Sequence, residues 1–247
     1  MHRFYVSNEQ IGDDKISIYG QDVNHIKNVL RLSKGEKIAI CNGQGQDFYC
    51  IIETVSSDCI EAIIESSEDT ETELDLKMYL FQGLPKKDKM ELIIQKAVEL
   101  GVHEIVPVVT SRTIVKIDNP AKEAKKLERW QAIAESAAKQ SGRGIIPKVH
   151  NVVNFNEALV MTEDLDTAII PYEKADGIEA SRTLISNAAH SGSVGVFIGP
   201  EGGFDDSEIN KAMSKGIMPV TLGRRILRTE TAGLTTLSLL MFEAEKE

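Results

Sequence analysis

The stretch Val194-Gly195-Val196-Phe197-Ile198-Gly199-Pro200-Glu201-Gly202-Gly203-Phe204 decides how this chain is read. Its first half is a short apolar run, the pattern of a buried strand, and its second half carries three glycines and a proline, the composition of a turn. Asp205 follows, with Glu208 three residues on, a capping pair for a helix that ends at Gly216. A strand that passes through a loop into a helix is the repeating piece of a parallel sheet, because parallel neighbours need a long crossover. The flanks repeat it. Upstream, Thr167–Pro171 reads as a strand and about Gly177–Ala189 as the helix crossing to Val194. Before these come the strand Leu76–Gln82 and a helix from about Lys87 with Met90, Ile93, Ile94, Ala97 and Val98 on one stripe, stopped by Gly101. The strand Glu104–Val109 is next, followed by a long helix signalled by Asn119-Pro120 and ending near Gly142. Asn154 with Glu157 starts another helix. Downstream, Pro219–Leu222 is a strand and Thr231–Glu245 the last helix. The expected architecture is α/β, a largely parallel sheet with helices on both faces.

The amino-terminal part differs. Lys37–Cys41, Asp47–Val55 and Cys59–Ile64 are strand-like runs separated by the turns Ser33-Lys34-Gly35, Asn42-Gly43-Gln44-Gly45 and Ser56-Ser57-Asp58. One helix precedes them, with Asp22 as its expected cap and Val23, Ile26 and Leu30 on a shared face. Several short strands in so little chain predict a small barrel. Ser66–Glu73 holds no apolar residue and reads as a solvated linker, so the expected domains are 1–70 and 74–247.

Bulk properties exclude more than they assign. The 247 residues carry a formal net charge of −10, but its distribution is uneven. Residues 1–72 have 6 basic against 13 acidic side chains, whereas Arg112–Lys148 has 9 against 4. RNA binding is permitted by such local charge and not argued by the total. The longest apolar run, near Leu237–Phe242, is far short of the ~20 residues a membrane span needs. Met1-His2-Arg3-Phe4 leads into strand-like sequence and not the apolar core of a signal peptide, so a cytoplasmic location is expected. Cys41, Cys50 and Cys59 form no C-x-x-C pair and read as small buried hydrophobes; the five histidines are scattered, so no metal site is expected.

Ligands of open α/β sheets sit at the carboxyl ends of strands. Two loops there stand out: Ile198–Phe204, and Leu222-Gly223-Arg224-Arg225-Ile226-Leu227-Arg228-Thr229-Glu230-Thr231-Ala232, which opens the last helix. Neither is a phosphate-cradling motif of familiar form. Glycines admit a ligand close to the backbone, and arginines beside Ile226 and Leu227 suit an anionic or nucleotide-like group. From the residues alone, a tight structural turn and a nucleotide site with RNA both stay open.

The same two loops resemble the signatures of the RsmE family, 16S rRNA uridine-N3 methyltransferases of the SPOUT superfamily. The resemblance extends to Arg3-Phe4, His25–Arg31, Lys86–Glu91 and Lys139–Arg143. It implies a PUA-like amino-terminal barrel and a trefoil-knotted carboxyl-terminal domain that binds S-adenosylmethionine and acts as a homodimer on the small ribosomal subunit. Leu234, Leu237 and Met241, with part of Lys139–Arg143, are candidates to meet the second copy. By the same resemblance, backbone groups of Ile198, Gly199, Leu222 and Leu227 would grip the cofactor and Gly202 and Gly203 would leave room for it. Tyr172 and Glu173 would close a third side, and Gly223, Ile226, Thr231 and Ala232 complete the set. Arg228 and Arg225 are candidates to stabilise a uridine anion. Glu230 is the nearest candidate base, though a carboxylate at a helix start has a structural role by default. Arg3, His25, Lys27, Arg31, Lys86, Lys87, Arg112 and Arg143 are candidate RNA contacts, each also readable as ordinary surface charge. Two other activities remain: ribose 2′-O methylation by a related knotted enzyme, and RNA binding without catalysis in ribosome assembly.

Overall fold

The computed structural model describes residues 1–114, 120–175 and 177–245. Asn119, expected to cap the long helix, lies outside the described residues. Two compact units form, Met1–Glu73 with Ala138–Ile146, and Leu74–Ala137 with Pro147–Glu247.

In the first unit, β1 (His2–Tyr5), β2 (Lys15–Tyr19), β3 (Lys37–Cys41), β4 (Gln46–Val55) and β5 (Cys59–Asp69) form a sheet in the order β1-β3-β4-β5-β2. Only the β1–β3 pair is parallel among these neighbours. Alternate positions, Ile16 and Ile18, Ile38 and Ile40, Ile60 and Ala62, are buried in one cluster with Ile26, so the sheet curls about a single core. Ile26 sits where the short α1 (Gln21–Asn24) passes into a π-type turn over His25–Val29, closed by the Leu30 N–H donating to the His25 carbonyl at 2.9 Å. Gly20, and not Asp22, precedes α1.

The expected linker is partly strand. Ser66–Asp69 pair with Gln46–Tyr49, a ladder end whose backbone bonds need no apolar side chain. Ala138–Ile146 completes the unit. Arg3 donates to the Gly142 carbonyl and pairs with Asp47, both at 2.7 Å, and the Tyr5 hydroxyl donates to the Arg143 carbonyl. The Glu73 carboxylate accepts from Arg143 Nη2 at 2.5 Å and from the N–H groups of Gly144 and Ile145 at 2.8 and 3.1 Å.

The second unit alternates as expected: β6 (Lys77–Gly83), α2 (Lys89–Glu99), β7 (Val102–Val109), then α3 (Pro120–Ser141), whose last turn belongs to the first unit. The short β8 (Lys148–Val149) and β9 (Val153–Asn154) follow, then α4 (Phe155–Met161), β10 (Thr167–Pro171), α5 (Ile178–Ala189), β11 (Ser193–Ile198), α6 (Asp206–Ser214), β12 (Met218–Val220) and α7 (Thr229–Ala244). The strand path is β12-β10-β11-β6-β7-β8 with β9 on β7, and every pair is parallel. Phe81, Val106, Val108, Ala168, Ile170 and Phe197 meet α4 and α6 on one face, with Phe81 and Phe197 stacked at 4.5 Å. On the other, α7 packs against β6 and β11 with α2 and α5 as neighbours. After β12 at the edge of the sheet, the chain returns to set α7 against β11 and β6 at its centre.

Candidate cofactor and RNA site

At the carboxyl end of β6, Gln82 is wholly buried. Its Nε2 donates to the Gly83 carbonyl and to Thr229 Oγ1, both at 2.9 Å, and the Thr229 hydroxyl donates to the Gly199 carbonyl at 2.6 Å. This relay fastens the start of α7 to the loop after β11. Thr229 is buried and begins α7 two residues before the expected start, because its hydroxyl has these two partners. Neither Gln82 nor Thr229 was a sequence candidate. A polar residue ending an apolar strand is the signal that would have found the glutamine.

The glycines of the first loop serve different ends. A side chain at Gly199 would stand 3.0 Å from the Gly203 backbone, so its absence lets the loop fold on itself. At Gly202 the neighbour is Arg112, 3.2 Å from a built Cβ, and Arg112 Nη1 donates to the Gly202 carbonyl at 2.9 Å. On the side where a Cβ would project, Gly202 therefore accommodates Arg112. Gly203 has φ +67° and Gly223 φ +108°, and neither would place a Cβ within 4 Å of another atom. At those two positions bare backbone faces open space, as a ligand gripped by main-chain groups requires.

Charge also joins the loops. Lys89 Nζ lies 3.3 Å from Glu201 Oε1 and 3.1 Å from Glu230 Oε2, and the Glu201 carboxylate accepts the Lys86 N–H at 3.1 Å. Burial would raise the Glu230 carboxyl, but its own backbone N–H and Lys89 together carry it below the usual range. Glu201 is lowered in the same way by backbone N–H groups and Lys89, against burial. Glu230 is thus held as a carboxylate paired with Lys89, the structural role expected by default of an acidic residue in the first turn of a helix.

Tyr172 donates to Asp206 Oδ1 at 2.8 Å, and Lys174 pairs with the same oxygen at 2.7 Å. Its ring packs toward the face covered by α6, so its side chain does not meet the relay on the α7 face. Glu173 is exposed beside it. In the second loop Leu222, Leu227 and Ala232 are half-buried, Arg224, Arg225, Arg228 and Thr231 exposed, and Ile226 is 91% exposed.

Of the candidate RNA contacts, His25, Lys27 and Arg31 are exposed on and just after the π-type turn. Lys86, Lys87 and Arg112 are exposed at the carboxyl ends of β6 and β7. Arg31 and Lys87 both have φ 56°, uncommon for residues with a Cβ. Arg3 and Arg143 are corrected: Arg143 is only 5% exposed, and both guanidinium groups are committed inside the first unit. Leu237 is likewise wholly buried core, while Leu239 and Phe242 are the exposed apolar residues of α7. Grooves of about 390 and 500 Å³ flank Leu239, away from the glycine loops. Among the described residues no cluster of three His, Cys, Asp or Glu could hold a metal, and no helix is long and apolar enough to cross a membrane.

Comparison with known proteins bears on the family and the fold. Residues 72–241 match a family model described as an RNA methyltransferase domain, and residues 18–65 one described as an RNA methyltransferase PUA domain. The ribosomal RNA small subunit methyltransferase E of Bacillus subtilis is 37% identical, over 99% of this chain and 98% of its own. The protein of the same name from Mesomycoplasma hyopneumoniae is 34% identical, over 96% and 98%. A crystal structure of a ribosomal RNA small subunit methyltransferase E from Neisseria gonorrhoeae, bound to S-adenosyl methionine, superposes with a TM-score of 0.83 at 33% identity, covering 98% of this chain and 97% of that one. The chain belongs to the ribosomal RNA small subunit methyltransferase E family.

Proposed function

We propose that this chain methylates N3 of a uridine in the 16S rRNA of the small ribosomal subunit, with S-adenosylmethionine as donor. The observation that carries this reading is the fastening of the two signature loops to each other by Gln82, Thr229 and the Gly199 carbonyl, in a chain similar over its length to a cofactor-bound relative. The open backbone at Gly203 and at Gly223 suits a ligand held mainly by main-chain groups, and Ile198, Gly199, Leu222, Leu227 and Ala232 of the same two loops are assigned to it. Ile226, Thr231 and Glu173 are exposed and belong to the rim of that set. When bound, the cofactor supplies an electrophilic methyl group.

The chain must hold N3 in line with that group and favour the base as an anion. Arg225 and Arg228, exposed on the second loop, are assigned the charge of the uridine oxygens. With Glu230 paired to Lys89, solvent takes the imide proton. His25, Lys27, Arg31, Lys86, Lys87 and Arg112 are assigned to RNA. The exposed Leu239 and Phe242, with Leu234 and Met241 half-buried beside them, are assigned to a homodimer face. The reading places the protein in the cytoplasm with the ribosome.

Two measurements test it. Calorimetry with S-adenosylmethionine should give saturable heat, and its absence would sink the enzymatic reading in favour of RNA binding alone. Mass spectrometry of digested RNA should place the methyl on the base; a 2′-O-methyl nucleoside would favour the related ribose chemistry.

A further inference from the structure

One cation serves both acidic side chains of the cofactor loops. Glu201 lies in the loop after β11 and Glu230 in the first turn of α7, and both approach the same ammonium, Lys89 at the start of α2. All three side chains are less than a third exposed. The same Glu201 carboxylate accepts the Lys86 N–H, so the segment bearing Lys86 and Lys87 is docked on the node as well. Three chain segments distant in sequence therefore meet at one charge. Without it, two partly buried carboxylates would keep only the Lys86 N–H on Glu201 and the more distant charge of Arg228 on Glu230, and the loops would move apart to rehydrate them.

We propose that Lys89 is a positioning residue for cofactor binding: by neutralising Glu201 and Glu230 together, it holds the glycine loop and the start of α7 at the separation the cofactor requires. The inference rests on the cofactor reading above. It differs from the neutral relay through Gln82 and Thr229, because only the charged node repels when its centre is removed. The contacts of Lys89 in the structure are the two carboxylates, so the role assigned to it acts through the loops that carry them.

The test compares Lys89→Met, Lys89→Arg and the double variant Lys89→Met/Glu230→Gln with the unsubstituted chain. Binding of S-adenosylmethionine is followed by calorimetry, and backbone amide exchange is followed in the cofactor-free protein. Lys89→Met should weaken binding about tenfold and raise KM for the cofactor by the same factor, with kcat at saturation within about threefold. Its amides over Gly199–Gly203 and Gly223–Arg228 should exchange faster, with the sheet unchanged. Lys89→Arg should bind within about threefold of the unsubstituted chain, and adding Glu230→Gln to Lys89→Met should recover part of the loss, since one repelling charge is gone. Equal affinities of the unsubstituted chain and Lys89→Met would overturn the inference alone. So would an arginine variant as defective as methionine, or a double variant worse than the single. No saturable binding by the unsubstituted chain would overturn the cofactor reading and this inference with it.

Discussion

Arg112 and Gly202 show how a single residue changes meaning once its neighbour is known. Gly202 is small because Arg112 lies against it, so Gly202→Ala should displace the arginine before it disturbs the cofactor. RNA affinity should fall while affinity for S-adenosylmethionine stays within about threefold, measured by filter binding and calorimetry. The reverse ranking would return Gly202 to the cofactor. Arg228→Ala should lower methyl transfer at least about a hundredfold with cofactor affinity unchanged, whereas Glu230→Gln should keep most of kcat. A Glu230→Gln variant as inactive as Arg228→Ala would restore the carboxylate as base. Burial pushes the Cys50 thiol up to about 11 and raises Cys41 as well, while Cys59 is partly exposed. A thiol reagent at pH 8 should therefore find one fast and two slow cysteines. Residue identity was legible where chemistry is local, as in the glycines and arginines of the loops. It was not legible for Gln82, Lys89 or Arg143, whose partners Thr229, Glu201 and Glu73 lie far along the chain.

At the scale of elements, the capping pairs announced their helices correctly. Asn154 accepts from the Glu157 N–H at 3.0 Å, and Asp205 from the Ser207 N–H at 3.0 Å while Glu208 accepts from the Asp205 N–H at 2.9 Å. Such caps are satisfied within four residues, so sequence suffices to read them. Glu208 does more, reaching the Ser111 N–H at 2.8 Å from a side chain only 4% exposed. The polar end of β5 escaped because an exposed ladder leaves no apolar trace, and β8 and β9 are too short for any period to register. The start of α7 escaped because tertiary bonds to Thr229 extend it. Thr229→Val removes the donor to the Gly199 carbonyl and the acceptor of the buried Gln82 amide, so it should cost about 1–3 kcal/mol in denaturant unfolding. Thr229→Ser should restore most of that. A valine variant as stable as the parent would mean the relay carries no load.

For the whole molecule, the alternation of strands and helices set the class, and the order of strands did not follow from it. Placing β6 and β11 at the centre of the sheet requires contacts between residues more than a hundred apart, which no period contains. A knot is further still from local pattern, since general folding rules argue against one; it is implied by the family resemblance alone. Assembly is a property of this scale too. Phe242→Glu, a charge placed on a residue 78% exposed, should convert a homodimer to a monomer in sedimentation without lowering the melting temperature. An unchanged sedimentation coefficient would move the dimer face away from the end of α7. Net charge of −10 leaves RNA binding to local basic patches, so affinity should fall steeply with salt, and a flat response would discard the assigned lysines and arginines. The most direct measurement is transfer of a labelled methyl group from S-adenosylmethionine to small subunits isolated from cells lacking this protein. The account predicts label on N3 of a single uridine of the 16S rRNA; label on a ribose 2′ oxygen, or none on the subunit or its naked RNA, would contradict it.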